Sequence, residues 1–321
     1  MPPSRKRVLL TGATGFVGSH LHPVLVRRGF DVIGGTREPE KARANAPDRQ
    51  FCHVELSDRA SVAQALEGVD AVVYLVHSMG ASKDYADAER QSAETLRAAA
   101  AERKVLERIV YLGGMRPRGR VSKHLRSRLA TGEVLRSGPV PVVELQATMV
   151  IGGGSESFRI VRDLAARLPW MLLPKWLRSE SEPVAIDDVV EAIAYALAMP
   201  LRVSCVRAVP GPEKLSGREI LTRTAHALGQ TPRMIEVPFV TPSLSSHWIR
   251  LVTRANPVVA AELVEGLRSD IVAEGPTIWQ ELPDYQRISF DEAVRRALRA
   301  EQDVLPDATR LVESVLHRLA Q

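Results

Sequence analysis

The stretch that decides the reading of this chain is Arg7-Val8-Leu9-Leu10-Thr11-Gly12-Ala13-Thr14-Gly15-Phe16-Val17-Gly18. An apolar run leads directly into three glycines spaced three apart, and Val17, Leu21, Val24 and Leu25 then recur at helical spacing. Strand, tight turn and helix start is the context in which a glycine pattern of this kind binds a dinucleotide. Gly12 permits the turn, Gly15 lets the backbone approach a pyrophosphate, and Gly18 lets the helix pack on the strand. The unpaired N–H groups of the helix start supply positive potential. Pro23 inside the helix removes one hydrogen bond and predicts a kink.

Outward from this turn, short apolar runs alternate with amphipathic stretches, the pattern of βα units around a parallel sheet. Strands are expected near residues 7–11, 31–35, 51–55, 71–77, 108–112 and 141–146, with helices between them, among them 58–66 opening on Asp58 and 84–103. After Gly152-Gly153-Gly154 the pattern loosens into helices separated by prolines: 157–168, 187–199, 216–228, 241–253 and 257–268. Short strands are expected near 182–186, 203–209 and 234–237. The fold class is therefore α/β, a Rossmann-type doubly wound parallel sheet with a smaller, mostly helical C-terminal substrate region. Residues 1–150 form the nucleotide-binding part, and 151–321 partly return to it.

The 321 residues, 45% hydrophobic, 25% charged and 5% aromatic, have the composition of a globular protein and exclude disorder as a default. Cys52 and Cys205 stand far apart without a CxxC or Cys/His cluster, so neither a disulfide framework nor a metal site is expected. The basic start leads into no signal-peptide core, and no apolar run approaches a spanning length, so a cytoplasmic location is expected. The net charge of +5 is local: Arg108, Arg116, Arg118, Arg120, Lys123, Arg126 and Arg128 lie between Glu107 and Glu133 with no acid among them. Few aromatics are interleaved, so no nucleic-acid partner is expected.

The end of the second strand selects the nucleotide. An acidic residue there would accept from the ribose hydroxyls of NAD, but the sequence is Thr36-Arg37-Glu38-Pro39-Glu40-Lys41. Arg37 suits a 2′-phosphate and Lys41 adds a second charge, so NADP is favoured over NAD. Glu38 and Glu40 partly offset that field.

Gly12-Gly15-Gly18, Tyr74-Leu75-Val76-His77-Ser78-Met79, Arg108-Ile109-Val110-Tyr111-Leu112-Gly113-Gly114 and Val184-Ala185-Ile186-Asp187-Asp188-Val189 together resemble an atypical, extended-type short-chain dehydrogenase/reductase. Within that superfamily the chain resembles the NmrA-like NAD(P)-binding proteins. More narrowly, His124-Leu125-Arg126-Ser127-Arg128 and the loop 152–158 look like a bacterial group that often carries an additional C-terminal cyclase-like domain, for which there is no room here. The resemblance implies that Thr14, Gly15, Phe16, Val17 and Gly18 hold the pyrophosphate, Arg37 the adenosine phosphate, and Glu55 and Leu56 the adenine. It puts Val76, His77 and Ser78 beside the nicotinamide and Ala147, Thr148, Met149 and Val150 near its carboxamide.

The superfamily's catalytic Ser and Tyr-x-x-x-Lys are missing. Gly113 and Gly114 stand where the serine is expected, and His124 and Arg128 take the tyrosine and lysine positions, sharing one helix face. His124 can act as a general acid, because an imidazolium titrates near neutrality; alternatively it is a helix-start residue on a basic surface, or hydride transfer proceeds without a dedicated protein acid. Arg128 can hold ribose hydroxyls but is a poor proton donor. Arg116, with Arg118 and Arg120, can grip an anionic group. The segment 168–177, with Trp170 and Trp176, can wall a pocket for an apolar substrate, pack between regions, or meet a membrane surface. Asp187 and Asp188 read as helix caps.

The expected function is an NADP-dependent oxidoreductase acting on a small-molecule substrate, anionic or lipid-like, with a non-standard active site. The alternative is a non-catalytic NADP(H)-binding redox sensor or assembly protein; a lyase or isomerase that keeps the nucleotide is a third reading. A homodimer or a regulatory protein partner stands open.

Overall fold

The structure is a computed structural model, and it describes residues 5–77, 85–167, 170–231, 233–237 and 269–304. β1 (Arg7–Thr11), β2 (Asp31–Thr36), β3 (Gln50–His53), β4 (Ala71–Tyr74), β5 (Arg108–Gly114) and β6 (Val142–Ala147) alternate with α1 (Phe16–Arg27), α2 (Pro39–Asn45), α3 (Arg59–Ala65), α4 (Tyr85–Ala101) and α5 (Lys123–Arg136). The expected strands all form. β5 and β6 run one or two residues further than the sequence suggests, whereas β3 and β4 stop earlier. α1 continues through Pro23 to Arg27. Asp58 caps α3, its carboxylate accepting from Ala60 N at 3.0 Å.

The second half adds β7 (Val150–Ile151), α6 (Glu156–Arg167), β8 (Trp170–Pro174), β9 (Glu180–Ser181), β10 (Val184–Ala185), α7 (Ile186–Ala198), β11 (Cys205–Val209), β12 (Leu215–Ser216), α8 (Gly217–Ala227), β13 (Arg233–Val237) and α9 (Phe290–Val304). The helices expected over 241–253 and 257–268 lie outside the described residues. Among the described residues no helix is long and apolar enough to cross a membrane.

The main sheet has seven strands in the order β11-β6-β5-β4-β1-β2-β3, every pair parallel. Alternation in β1 explains the double winding. Val8 and Leu10 face a core shared with Leu21 and Leu25 of α1, Ala42 of α2 and most of α7. Leu9 faces the opposite core, built with Val62 of α3, Leu96 of α4 and Leu135 of α5. Each fully buried aliphatic side chain contributes ~1.5–3 kcal/mol, so neither face of the sheet can be left uncovered.

Two pieces of the second half belong to this body. β11 extends the sheet beside β6 with Cys205 opposite Val143, and α7 lies against α1 on the first core. Arg108 fastens α7: it is buried, and its guanidinium donates to the carbonyls of Ala196 (3.1 Å) and Met199 (2.6 Å) at the helix C-terminus. It is thus a structural cation and no part of a basic surface. Cys52 on β3 and Cys205 on β11 occupy opposite edges of the sheet, so they cannot pair within the chain. A smaller core joins Ile151, Phe158, Ala185, Leu215, Ile220, Phe290 and Val294 from β7, α6, β10, β12, α8 and α9.

Asp187 and Asp188 are not caps. Ala185 occupies the N-cap without a side-chain bond, which puts both aspartates inside the first turn of α7. Asp187 pairs with Arg296 of α9 at 2.9 Å. Asp188 is fully buried and accepts from Tyr285 Oη (2.8 Å) and Ile288 N (3.1 Å). Burial lifts its pKa to about 6 against these hydrogen bonds.

Candidate functional site

The chain order reverses between β1 and β4: β2 and β3 follow on one side of β1, and β4 opens the other. A crevice at such a switch point, beyond the carboxyl ends of the strands, is where doubly wound sheets bind ligands. The glycine turn sits there. Gly12 adopts φ +72°, and its carbonyl accepts from Gly15 N at 3.0 Å. A Cβ at Gly18 would run into Gly12 O and lie 2.8 Å from Ala13 Cα, so α1 packs on the turn only because that residue has no side chain. A Cβ at Gly15 would meet Gly12 O alone, at 3.2 Å. Thr14 and Gly15 are exposed, Phe16 and Val17 half-buried, and the start of α1 carries no side-chain cap. Its first N–H groups therefore remain available to an anion. This cradle of bare backbone N–H groups fits a dinucleotide pyrophosphate.

The wall of the crevice comes from the neighbouring strand ends. Leu75 Cβ lies 3.2 Å from where a Gly12 Cβ would stand, so the residues after β4 flank the turn directly. Val76 is half-buried against the second core and His77 is exposed; Ser78 lies outside the described residues. Beyond β6, Thr148 Oγ1 donates to Glu182 O at 2.5 Å, Met149 O accepts from Val184 N, and Val150 pairs with Val184. Ala147 itself is buried. A Cβ at Gly152 would lie 2.9 Å from Phe16 Cζ, which sets the glycine loop against the start of α1.

At the end of β2, Arg37 is exposed and has no carboxylate partner among the described residues. Lys41 is already engaged with Glu38 at 3.3 Å, which reduces it as a second charge. Glu55 accepts from Ser57 N (3.2 Å) and Ser57 Oγ (2.9 Å), turning its carboxylate to a local loop. Leu56 is buried in the second core.

His77, His124 and Arg128 are brought together. The two imidazoles stand 6.2 Å apart between centroids, edge to face. Ser122 caps α5 through Leu125 N (3.2 Å), fixing where His124 emerges in the first turn. Arg128 is anchored from below: its guanidinium donates to Leu112 O and lies 6.0 Å above the Tyr111 ring, while Tyr111 Oη donates to Arg128 O at 2.9 Å. Burial, then the Arg128 charge, then His77 depress the pKa of His124 to about 3. His77 keeps one side open to solvent, but its ring packs toward His124, and desolvation of that ring, then the Arg128 charge, bring its pKa down to about 4. Both are neutral imidazoles at neutral pH. This corrects the expectation of an imidazolium acid at His124; in its place stands a neutral N–H donor beside a fixed cation.

The glycines replacing the serine have a packing reason. A Cβ at Gly114 would run into Leu125 Cδ1, and one at Gly113 would lie 3.0 Å from Tyr111 Cε1. Tyr111 was not singled out in the sequence, although its place on β5 beneath α5 follows from the βα pattern. Arg116 does not reach this cluster's hydrogen-bond network: it is exposed and pairs with Glu133 at 3.7 Å, as Arg118 pairs with Glu274 at 2.5 Å. The stretch without acids in sequence thus meets acids in space. Trp170 lies in β8 and Trp176 in the 3-10 turn Lys175–Arg178, and their side chains fall outside the described residues. Among the described residues no group of His, Cys, Asp and Glu could hold a metal ion.

Residues 8–140 match the model of the NAD dependent epimerase/dehydratase family. A ceramide reductase of Caulobacter vibrioides is 25% identical over 251 residues, 73% of this chain and 74% of that protein. UDP-glucose 4-epimerase of Thermus thermophilus, solved with NAD, superposes with a TM-score of 0.66 at 19% identity, covering 93% of this chain and 100% of the other. A nucleoside-diphosphate-sugar epimerase from Staphylococcus aureus gives 0.71 at 13% identity, covering 90% and 99%. The chain shares the α/β fold of these solved structures, and its residues 8–140 carry the match to the NAD dependent epimerase/dehydratase family. The matches do not single out the NmrA-like subdivision.

Proposed function

We propose that the protein is an NADPH-dependent reductase of a carbonyl-bearing, lipid-like substrate. The observation that carries this reading is the cluster of His77, His124 and Arg128 at the carboxyl ends of β4 and β5, on the same edge of the sheet as the glycine turn. The likeness to a ceramide reductase supports the substrate class, and Arg37 supports the phosphorylated nucleotide.

Residues Gly12 to Gly18 would hold the pyrophosphate, Arg37 the adenosine phosphate, and Val76 and His77 would flank the nicotinamide. A nucleotide held there would supply the hydride that the carbonyl carbon takes up. The neutral His124 donates an N–H hydrogen bond to the carbonyl oxygen, and the guanidinium of Arg128 favours negative charge growing there. Because His124 has no second proton to give near neutrality, the proton that completes the alcohol comes from water, which reaches the cluster on the exposed His77 side.

The test is titration with NADPH and NADH, wild type against Arg37→Ala, followed by NADPH oxidation with long-chain ketones and with keto-sugar nucleotides. The reading expects tighter binding of NADPH, lost in Arg37→Ala, and turnover of long-chain ketones that falls in His124→Ala. Turnover of keto-sugar nucleotides alone would overturn the substrate class. A second reading, a binding-only NADP(H) sensor, is favoured by the depressed pKa of His124, which makes a weak proton-transfer apparatus. It expects tight nucleotide binding with no oxidation across the panel, and a partner whose affinity differs between NADP and NADPH.

A further inference from the structure

We propose that His53 is a second recognition group for the 2′-phosphate of the nucleotide, acting with Arg37, and that it takes up a proton from solvent when the phosphate binds. This rests on the NADPH reading above.

The geometry comes from the β2–β3 pairing. Thr36 is opposite His53 in register, and Val54 N donates to Thr36 O at 2.9 Å, so the exits of the two strands are tied together. His53 Nδ1 then lies 3.2 Å from the carbonyl oxygen of Arg37. A carbonyl only accepts, so Nδ1 carries the hydrogen and the imidazole's remaining nitrogen, Nε2, is left as its second polar atom. His53 is exposed, as is Arg37. One bond thus fixes both the tautomer of the ring and the backbone of the residue that reads the phosphate.

The charges around this point are otherwise accounted for. Glu38 pairs with Lys41. Glu40 pairs with Arg43, whose guanidinium also donates to Phe51 O at 3.0 Å. Glu55 faces Ser57, and Asp58 caps α3. Two glutamates therefore offset the two cations of α2, and Arg37 is left as the cation without a carboxylate partner among these residues. A phosphate dianion beside one guanidinium retains acceptor oxygens, and His53 is the neighbouring group able to become a donor toward them. In its neutral form Nε2 is an acceptor and repels phosphate oxygen; protonated, it donates a charge-assisted hydrogen bond. Recognition and protonation are therefore one event, and NADH, lacking the phosphate, does not provoke it.

The experiment is calorimetric titration of the 321-residue protein with NADPH and with NADH in two buffers of different ionisation enthalpy, for wild type, His53→Gln and His53→Ala. Wild type is expected to take up more protons with NADPH than His53→Gln does, and the NADPH-over-NADH preference should fall about three- to tenfold in both variants with NADH affinity unchanged. NADPH preference and proton uptake equal to wild type in both variants would overturn the role of His53 while leaving the NADPH reading intact. Wild type that binds NADPH no better than NADH would overturn both.

Discussion

His77 and His124 meet edge to face with ring centroids 6.2 Å apart, one carried past the end of β4 and the other on the first turn of α5. Neither ring is charged at neutral pH, because both are desolvated and both feel the guanidinium of Arg128. That cation is pinned to Leu112 O over Tyr111. It therefore works as a fixed field on two neutral bases.

Removing the field should be visible directly. In Arg128→Gln the pKa of His124 should rise from about 3, remaining below the ordinary value because burial is the larger cause. Imidazole proton resonances followed against pH would check it, and an unchanged or lower pKa would show that Arg128 does not set the protonation state.

The same two histidines should make the fold acid-sensitive. Their folded pKa values are lower than their unfolded ones, so the unfolded chain binds more protons as pH falls below about 6.5. Stability present above that pH should be lost progressively down to about 4 and about 3. Denaturant midpoints between pH 7 and pH 4 should show a smaller drop in His77→Gln/His124→Gln than in wild type.

The glycine turn separates folding from binding. Gly18→Ala forces a methyl against the backbone of Gly12 and Ala13 and should cost about 1–3 kcal/mol of stability, read as a lower urea midpoint. Gly15→Ala meets one carbonyl oxygen at 3.2 Å, so it should fold nearly as stably and lose nucleotide affinity.

Asp188 gives a slope of the opposite sign. Its folded pKa of about 6 lies above the model-peptide value of 3.8, so its contribution is fullest below about pH 4 and is lost as pH rises through about 6. Asp188→Asn should flatten the thermal midpoint across that window. Asp188→Ala, leaving Tyr285 Oη and Ile288 N without their acceptor, should cost about 1–3 kcal/mol at any pH.

Arg108→Met should also destabilise, by about 1.5–3 kcal/mol, because the last carbonyls of α7 lose two charge-assisted bonds. Activity per folded molecule should be retained, a contrast that a stability curve and a nucleotide titration on the same sample would display.

The sheet was readable because β1, β4 and β5 are buried on both faces, which writes them as apolar runs, and because Gly12, Gly15 and Gly18 punctuate strand and helix. The short ladders of the second half were not, since a two-residue pair such as β9 and β12 leaves no period to detect. Of the candidate site, the glycine turn was marked by its own spacing, whereas His124 and Arg128 were picked out by the family resemblance, their spacing of four then putting them on one face of α5. The protonation of His124 did not, because it depends on burial and on a guanidinium placed by Tyr111 and Leu112. Asp188 looked like a cap because Asp at a helix start usually is one; its partner Tyr285 is nearly a hundred residues away in sequence. Arg116 looked available for the same reason, since Glu133 reaches it only after α5 has formed.

Because β11 is drawn from residues 205–209 and zipped onto β6, the half that carries the glycine turn cannot be excised at the glycine loop as a free-standing cassette. A fragment ending near residue 150 would carry an open parallel edge along β6 and lack the α7 lid of its first core. Evolution, or an engineer, seeking a new substrate here must work by exchanging loops within a sheet that both halves share, for swapping the second half whole would unmake the first.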